Sequence, residues 1–439
     1  MQTDMTAITI LLGSFALLLI LKVPITFSLI VSSILTGWYL KVPLMVVVQR
    51  MSGGIQNFSL LAIPFFILAG GIMAYGGITN RIIEFSNIII GRVRGGLAQV
   101  NVLASMFFGG ISGSAVADVS SIGVMLIPMM DKKGYDTDYS VAVTVSSACQ
   151  GIIIPPSHNM IIYSFAVGGA VSVGRLFLGG FIPGIMLGIA LMIISYIIAV
   201  RRKYPKEKKY TWKEAFSITK DAVIGLFTFV IIIGGVIFGV FTATESAAIA
   251  VVYALLVTIF VYRTMTVRRF IKILYEGLKT LAIVMSLIAA ASAFGYFLAY
   301  LKVPALATTA LLTLSENRIV LLLLINLLLI VLGCIMDMAP LILICSPILY
   351  PVVVTTLGMS PIQFGIMLLL NLGIGLCTPP VGSALFVGSA VGRIPIEKAA
   401  KALIPFYIMM ICVLLLITFV PFFSTFIPDL IMPEVVAAR

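Results

Sequence analysis

The chain has 439 residues, 61% of them hydrophobic and only 10% charged, with a formal net charge of +12. A soluble globular protein of this size needs a charged skin, so that class is excluded; the clustering of the cations in a few loops argues against a nucleic-acid binder. Apolar runs of about 20 residues recur, the length that crosses a bilayer core of about 30 Å, and no run of short alternating strands suggests a β-barrel. The expected class is an all-α polytopic membrane protein.

The N-terminus, Met1-Gln-Thr-Asp-Met, has no basic stretch ahead of its apolar run and reads as a retained first helix. Residues 41–57, with Lys41, Arg50 and Gln56 among apolar neighbours, read as an amphipathic helix at the interface. Arg92 and Arg94, then Lys132 and Lys133, favour the same side of the membrane, and the stretch between them barely holds two full spans. Its middle, Gly109-Gly-Ile-Ser-Gly-Ser-Ala, is a poor helix interior. A re-entrant hairpin over about 95–130 fits better. A helix over about 139–169, broken at Pro155-Pro156-Ser157, and one near 175–200 follow.

The loop 201–220 carries eight Lys/Arg against two acids, which places it in the cytoplasm. Spans near 222–241 and 243–262 go out and back. Residues 263–279 read as a second amphipathic helix. A second hairpin over about 318–356, a helix over about 362–391 broken at Pro379-Pro380, and a final helix near 404–427 complete the chain. This threading sets both termini in the periplasm.

The halves repeat. Gly110 through Pro128 aligns with Gly333 through Pro351 at an offset of 223, the double prolines align at 224, and Leu61-Ala-Ile aligns with Leu281-Ala-Ile at 220. The threading gives the copies opposite orientation. An inverted repeat with interrupted helices is the architecture of secondary transporters that bind substrate near the midplane.

The chemistry sits at the breaks. Prolines remove donors, so Pro155-Pro156 frees carbonyls of roughly residues 151–153, and Pro379-Pro380 frees those of Gly375, Leu376 and Cys377. Such oxygens, with nearby hydroxyls, suit Na⁺, and the positive ends of half-helices suit an anion. Asp337 in the second hairpin tip reads as functional, because carboxylates within a membrane mark ion or substrate paths. Asp118, after the first tip, fits that role or a helix cap. Glu245, in Phe241-Thr-Ala-Thr-Glu-Ser, reads as a cap. Ser112, Ser114, Ser157 and Thr378 lie at the breaks, and His158, the single histidine, reads as a polar lining residue. The five cysteines lie in apolar stretches without metal-binding spacing. No GxxxxGK[ST] loop is present to hold ATP.

With these motifs in this order, the chain resembles the large membrane subunit of the tripartite ATP-independent periplasmic (TRAP) transporters over essentially its whole length. The residues carrying the resemblance are Gly109-Gly-Ile-Ser-Gly-Ser-Ala-Val-Ala-Asp118, Ile154-Pro-Pro-Ser157, Phe241-Thr-Ala-Thr-Glu-Ser-Ala-Ala248, Gly333-Cys-Ile-Met-Asp337 and Thr378-Pro-Pro-Val-Gly382. It is most similar to the separate-chain sialic acid type.

The resemblance implies an inner-membrane, elevator-type transporter, not an enzyme, importing an organic anion such as sialic acid with two or more Na⁺ ions. It implies a periplasmic binding protein that delivers the substrate and a small four-helix membrane subunit on a separate chain. Scaffold parts would be residues 1–94, 171–279 and 393–439, and transport-domain parts 95–170 and 280–392. One Na⁺ site would draw on Ser105, Gly110, Ser114, Asp118, Ile154 and Pro155, and another on Gly333, Met336, Gly375, Cys377, Thr378 and Gly382. Ser112, Ser157, His158 and Asp337 would face substrate. The nearest rival is a dicarboxylate or citrate symporter that needs no binding protein.

Overall fold

Backbone polar groups inside a bilayer must pair within their own segment, so a chain this apolar has helices as its building material. The computed structural model describes residues 4–207 and 210–433, and no strand occurs among them. Among the described residues, 8 helical stretches are long and apolar enough to span a membrane. Lys208 and Lys209 of the basic loop, and the two chain ends, lie outside the described residues.

The first half runs α1 (Met5–Ile20), α2 (Ile25–Tyr39), α3 (Leu44–Gly54), α4 (Ala62–Tyr75) and α5 (Ile78–Ile90). Its hairpin is α6 (Gly96–Ser112), α7 (Ala115–Asp118), a π turn and α8 (Val124–Lys132). The broken helix follows as α9 (Thr137–Gln150) and α10 (His158–Ala166), then the long α11 (Val173–Arg201). The second half starts with α12 (Trp212–Ile237), α13 (Ala243–Leu256), α14 (Val267–Tyr300) and α15 (Val303–Leu314). Its hairpin is α16 (Arg318–Ile335) and α17 (Met338–Tyr350). The second broken helix is α18 (Pro361–Leu376) and α19 (Ser383–Gly392), followed by α20 (Ile396–Phe419) and α21 (Phe422–Ile431).

The halves interlock by exchanging partners. Helix α2 packs on α14 while α13 packs on α4, and α9 packs on α20 while α18 packs on α11. The returning arm of each hairpin packs on the other half's broken helix, α17 on α10 and α7 on α19. Such reciprocity is what a two-fold relation between the repeats produces. Each hairpin also meets its own broken helix at a glycine pair. A Cβ on Gly109 would lie 2.3 Å from the Gly151 Cα, and one on Gly375 would lie 2.5 Å from the Gly333 Cα. Only glycine permits so close a backbone approach.

Two expectations differ from the structure. Residues 263–279 do not form a separate helix: from Val267 they continue into α14, so the expected boundary at 279/280 falls inside a 34-residue helix. In the first half the equivalent arm does separate, because Asn57 caps a new turn by accepting from the Ser59 N–H at 2.9 Å. The last span starts at Ile396 and stops at Phe419, where Pro421 holds Val420 extended, and α21 follows. Helices α11 and α20 pack on the broken helices α9 and α18 and on each other.

Glu245 has the capping role expected of it. Thr242 and Glu245 form a reciprocal capping box at the start of α13, with the Thr242 N–H donating to Glu245 Oε2 at 2.8 Å.

Candidate functional site

Each hairpin tip is a helix stop followed at once by a helix start. In the first, α6 ends at Ser112, Gly113 takes a left-handed φ of 61°, and Ser114 caps α7. In the second, α16 ends at Ile335, Met336 is extended, and Asp337 caps α17. The breaks are tied to these tips. Asn159 Nδ2 donates to the Gly113 carbonyl at 2.8 Å, and the Val381 N–H donates to the Cys334 carbonyl at 3.1 Å. Both double-proline bonds are cis.

Between the two tips lies a cavity of about 650 Å³. The first tip contributes Ser112, Ser114, Ser120 and Ser121; the first break, His158 and Asn159; the second tip, Asp337. The opposite wall belongs to α4 and α14, with Gly70, Gly71, Tyr75, Glu276 and Thr280. The cavity therefore separates the hairpin-bearing helices from α4 and α14. Among the described residues its lining holds two carboxylates, Asp337 and Glu276, and no Lys or Arg.

Behind the first tip, Asp118 is 1% exposed, and neither carboxylate oxygen has a hydrogen-bond partner among the described residues. Ser105 lies beside it, its hydroxyl likewise without a well-aligned bond. Asp118 does not cap the returning arm, a task performed by the Ser114 hydroxyl, which accepts from the Ala117 N–H at 3.3 Å. A buried, unpaired carboxylate is costly unless a cation or proton neutralises it. A carboxylate and a hydroxyl oxygen are donors of the kind that suit a small hard cation such as Na⁺.

The other expected residues fall into two groups. Around the first break, Gly110 abuts Ile154 and the Pro155 carbonyl, and Ser157 is fully buried, its hydroxyl without a partner among the described residues. Ser157 does not line the cavity; His158 does, and its Nδ1 has no partner among the described residues. Around the second break, much oxygen is already engaged. The Cys377 carbonyl accepts from the Tyr407 hydroxyl at 2.5 Å, and the Thr378 hydroxyl donates to the Ile374 carbonyl at 2.7 Å. Gly333 and Gly375 bring the arm and break together, Gly382 takes a φ of 32°, and half-buried Met336 sits one residue before Asp337. Among the described residues, no carboxylate is buried there as Asp118 is in the first repeat.

Sequence reading missed Glu276 and Tyr75. The Tyr75 hydroxyl donates to Glu276 Oε2 at 2.9 Å, and Lys272 Nζ lies 3.8 Å from the other oxygen. The signal was present: an acid four residues after a lysine on one helix, in a stretch read as interfacial.

The comparisons agree with this architecture. The family model described as the tripartite ATP-independent periplasmic transporter, DctM component, matches residues 12–423. The sialic acid TRAP transporter large permease protein SiaM of Vibrio cholerae is 42% identical, covering 88% of this chain and 89% of its own. The C4-dicarboxylate TRAP transporter large permease protein DctM of the same organism is 38% identical, covering 95% of this chain and 97% of its own. Among solved structures, the Alcanivorax borkumensis YdaH transporter covers 86% of this chain and 88% of its own with a TM-score of 0.62, and at 13% identity it shows likeness of fold alone. The chain thus belongs to the DctM family, the large permease subunits of tripartite ATP-independent periplasmic transporters.

Proposed function

We propose that this permease imports an organic acid, namely sialic acid, driven by Na⁺ and handed over by a periplasmic binding protein. The observation that carries the reading is the cavity between the hairpin tips. Its volume of about 650 Å³ lies within the range of roughly 300–1,000 Å³ that holds small molecules. Among the described residues its lining offers the Asp337 carboxylate, Glu276 with Lys272 nearby, several hydroxyls and the His158 ring, but no Lys or Arg. An anion entering alone would be repelled, so its binding has to be coupled to cations. Asp118 with Ser105 holds one Na⁺ behind the first tip, and oxygens at the second break hold another. The hairpins and broken helices move as a body past α4 and α14, carrying the cavity from one side to the other.

In this reading the basic loop 201–220 faces the cytoplasm, the protein resides in the inner membrane, and both termini are periplasmic. A separate small membrane subunit braces the outer surface. The 42% identity to a sialic acid permease favours that substrate over the C4-dicarboxylate of the other relative. The test is uptake by liposomes holding this permease and its small subunit, supplied with the cognate binding protein and either labelled N-acetylneuraminate or labelled succinate. Uptake of the first alone is expected; uptake of succinate alone overturns the choice of substrate.

A further inference from the structure

A second cavity, of about 240 Å³, opens where α11 and α20 run together, and it shares no lining residue with the transport cavity. Arg201, Arg202 and Lys401 line it with Ile198 and Pro405, and the buried Tyr139 forms its floor. Tyr139 is fixed by donating its hydroxyl to the Ser195 carbonyl at 2.9 Å.

The three cations are not equivalent. Arg202 is engaged: its Nη1 lies 2.7 Å from Asp136 Oδ2 and 3.7 Å from Asp138 Oδ1. Arg201 and Lys401 form no ion pair among the described residues. Two exposed, uncompensated positive charges therefore stand at one small cavity.

The surface beside it is apolar. On α11, Ile193 and Ile197 are 49% and 40% exposed, stepping by one turn toward Arg201. On α20, Ile404 and Ile408 are 54% and 58% exposed, stepping away from Lys401. Exposed isoleucines alone signify only contact with lipid. Two such strips ending at a pair of free cations match a molecule with an anionic head and apolar tails. A free phosphate ion would use the cations and leave the strips unexplained.

We propose that this cavity binds an anionic phospholipid, its headgroup phosphate held by Arg201 and Lys401 and its acyl chains lying along Ile193 and Ile197 on one side and Ile404 and Ile408 on the other. Basic pockets between membrane helices bind such headgroups. Because α11 and α20 both pack on α9, which leads into the first break, the lipid clamps the basic end of that helix group. Assignment to the cytoplasmic leaflet rests on the orientation proposed above; binding does not.

Native mass spectrometry of the purified permease with its small subunit tests the proposal, because it reads bound lipid without transport. Phosphatidylglycerol, phosphatidylcholine and inorganic phosphate are each titrated against the wild type, Arg201→Ala/Lys401→Ala, and the milder Lys401→Gln. The wild type should retain phosphatidylglycerol over phosphatidylcholine, with affinity falling roughly tenfold or more in the double variant. Lys401→Gln should give an intermediate loss even if the double variant is poorly folded. Equal phosphatidylglycerol binding by the wild type and Lys401→Gln overturns the proposal. Displacement of the lipid by millimolar inorganic phosphate also overturns it, by showing a plain anion site.

Discussion

Ser114 and Asp337 occupy equivalent points of the two repeats: each caps the returning arm of its hairpin, and both line the same cavity. Ser114 accepts from the Ala117 N–H at 3.3 Å, and Asp337 from the Met338 N–H at 3.0 Å. Asp337 adds a full negative charge that the cap does not need, since Ser and Asn cap as well as Asp. Asp337→Asn and Asp337→Ser should therefore keep thermal stability and lose most uptake, while Asp337→Ala loses uptake and about 0.5–2 kcal/mol of stability. Near wild-type uptake by Asp337→Ser would reduce the carboxylate to a structural cap.

Asp118 should reveal itself through Na⁺ linkage. Ligand binding to the folded state raises stability with ligand concentration. The wild type should therefore gain thermal stability as Na⁺ replaces choline in the buffer, and Asp118→Asn should lose much of that gain. In Na⁺-free buffer the variant should be at least as stable as the wild type, because it replaces a buried carboxyl group that has no hydrogen-bond partner among the described residues. An unchanged Na⁺ response in Asp118→Asn would take the ion site away from this residue.

The glycine crossings give a packing prediction. Gly109→Ala drives a methyl into the Gly151 backbone and should destabilise the protein by about 1–3 kcal/mol. Gly53, in α3, has nothing within 4 Å of the equivalent point, so Gly53→Ala should be neutral or stabilising. Thermal unfolding of both variants checks the contrast; equal effects would mean that the crossing yields freely.

These positions explain how far the sequence could be read. Tips and breaks were legible because clustered glycine and paired proline act locally: Gly113 and the doublets Pro155-Pro156 and Pro379-Pro380 interrupt helices, whereas single prolines such as Pro183 and Pro405 stay inside theirs. The placement of α11 and α20 beside the broken helices was not, because a membrane helix is apolar toward both lipid and protein. Glu276 was hidden for a related reason. Its segment has the amphipathic pattern of a surface helix, and only the continuity of α14 carries it to the cavity wall. The exchange of partners between the repeats depends on contacts distant in sequence, to which offsets alone are blind.

Orientation is open to a chemical test. A cysteine at Lys206 should react with an impermeant maleimide only after the membrane is opened from the cytoplasmic side, and one at Glu316 should react in intact spheroplasts. Labelling of position 206 from outside would invert the threading.

Cation coupling is the central step of the proposed transport, at a cavity whose lining among the described residues holds no Lys or Arg. Proteoliposomes holding the permease and its small subunit, with binding protein and labelled N-acetylneuraminate outside, allow the Na⁺ gradient to be set independently of the membrane potential. Uptake should be rapid with Na⁺ outside and collapse to background when K⁺ or choline replaces it at the same potential. Undiminished uptake in Na⁺-free medium would contradict the account, because the carboxylate-lined cavity would then be admitting an anion with no Na⁺ to accompany it.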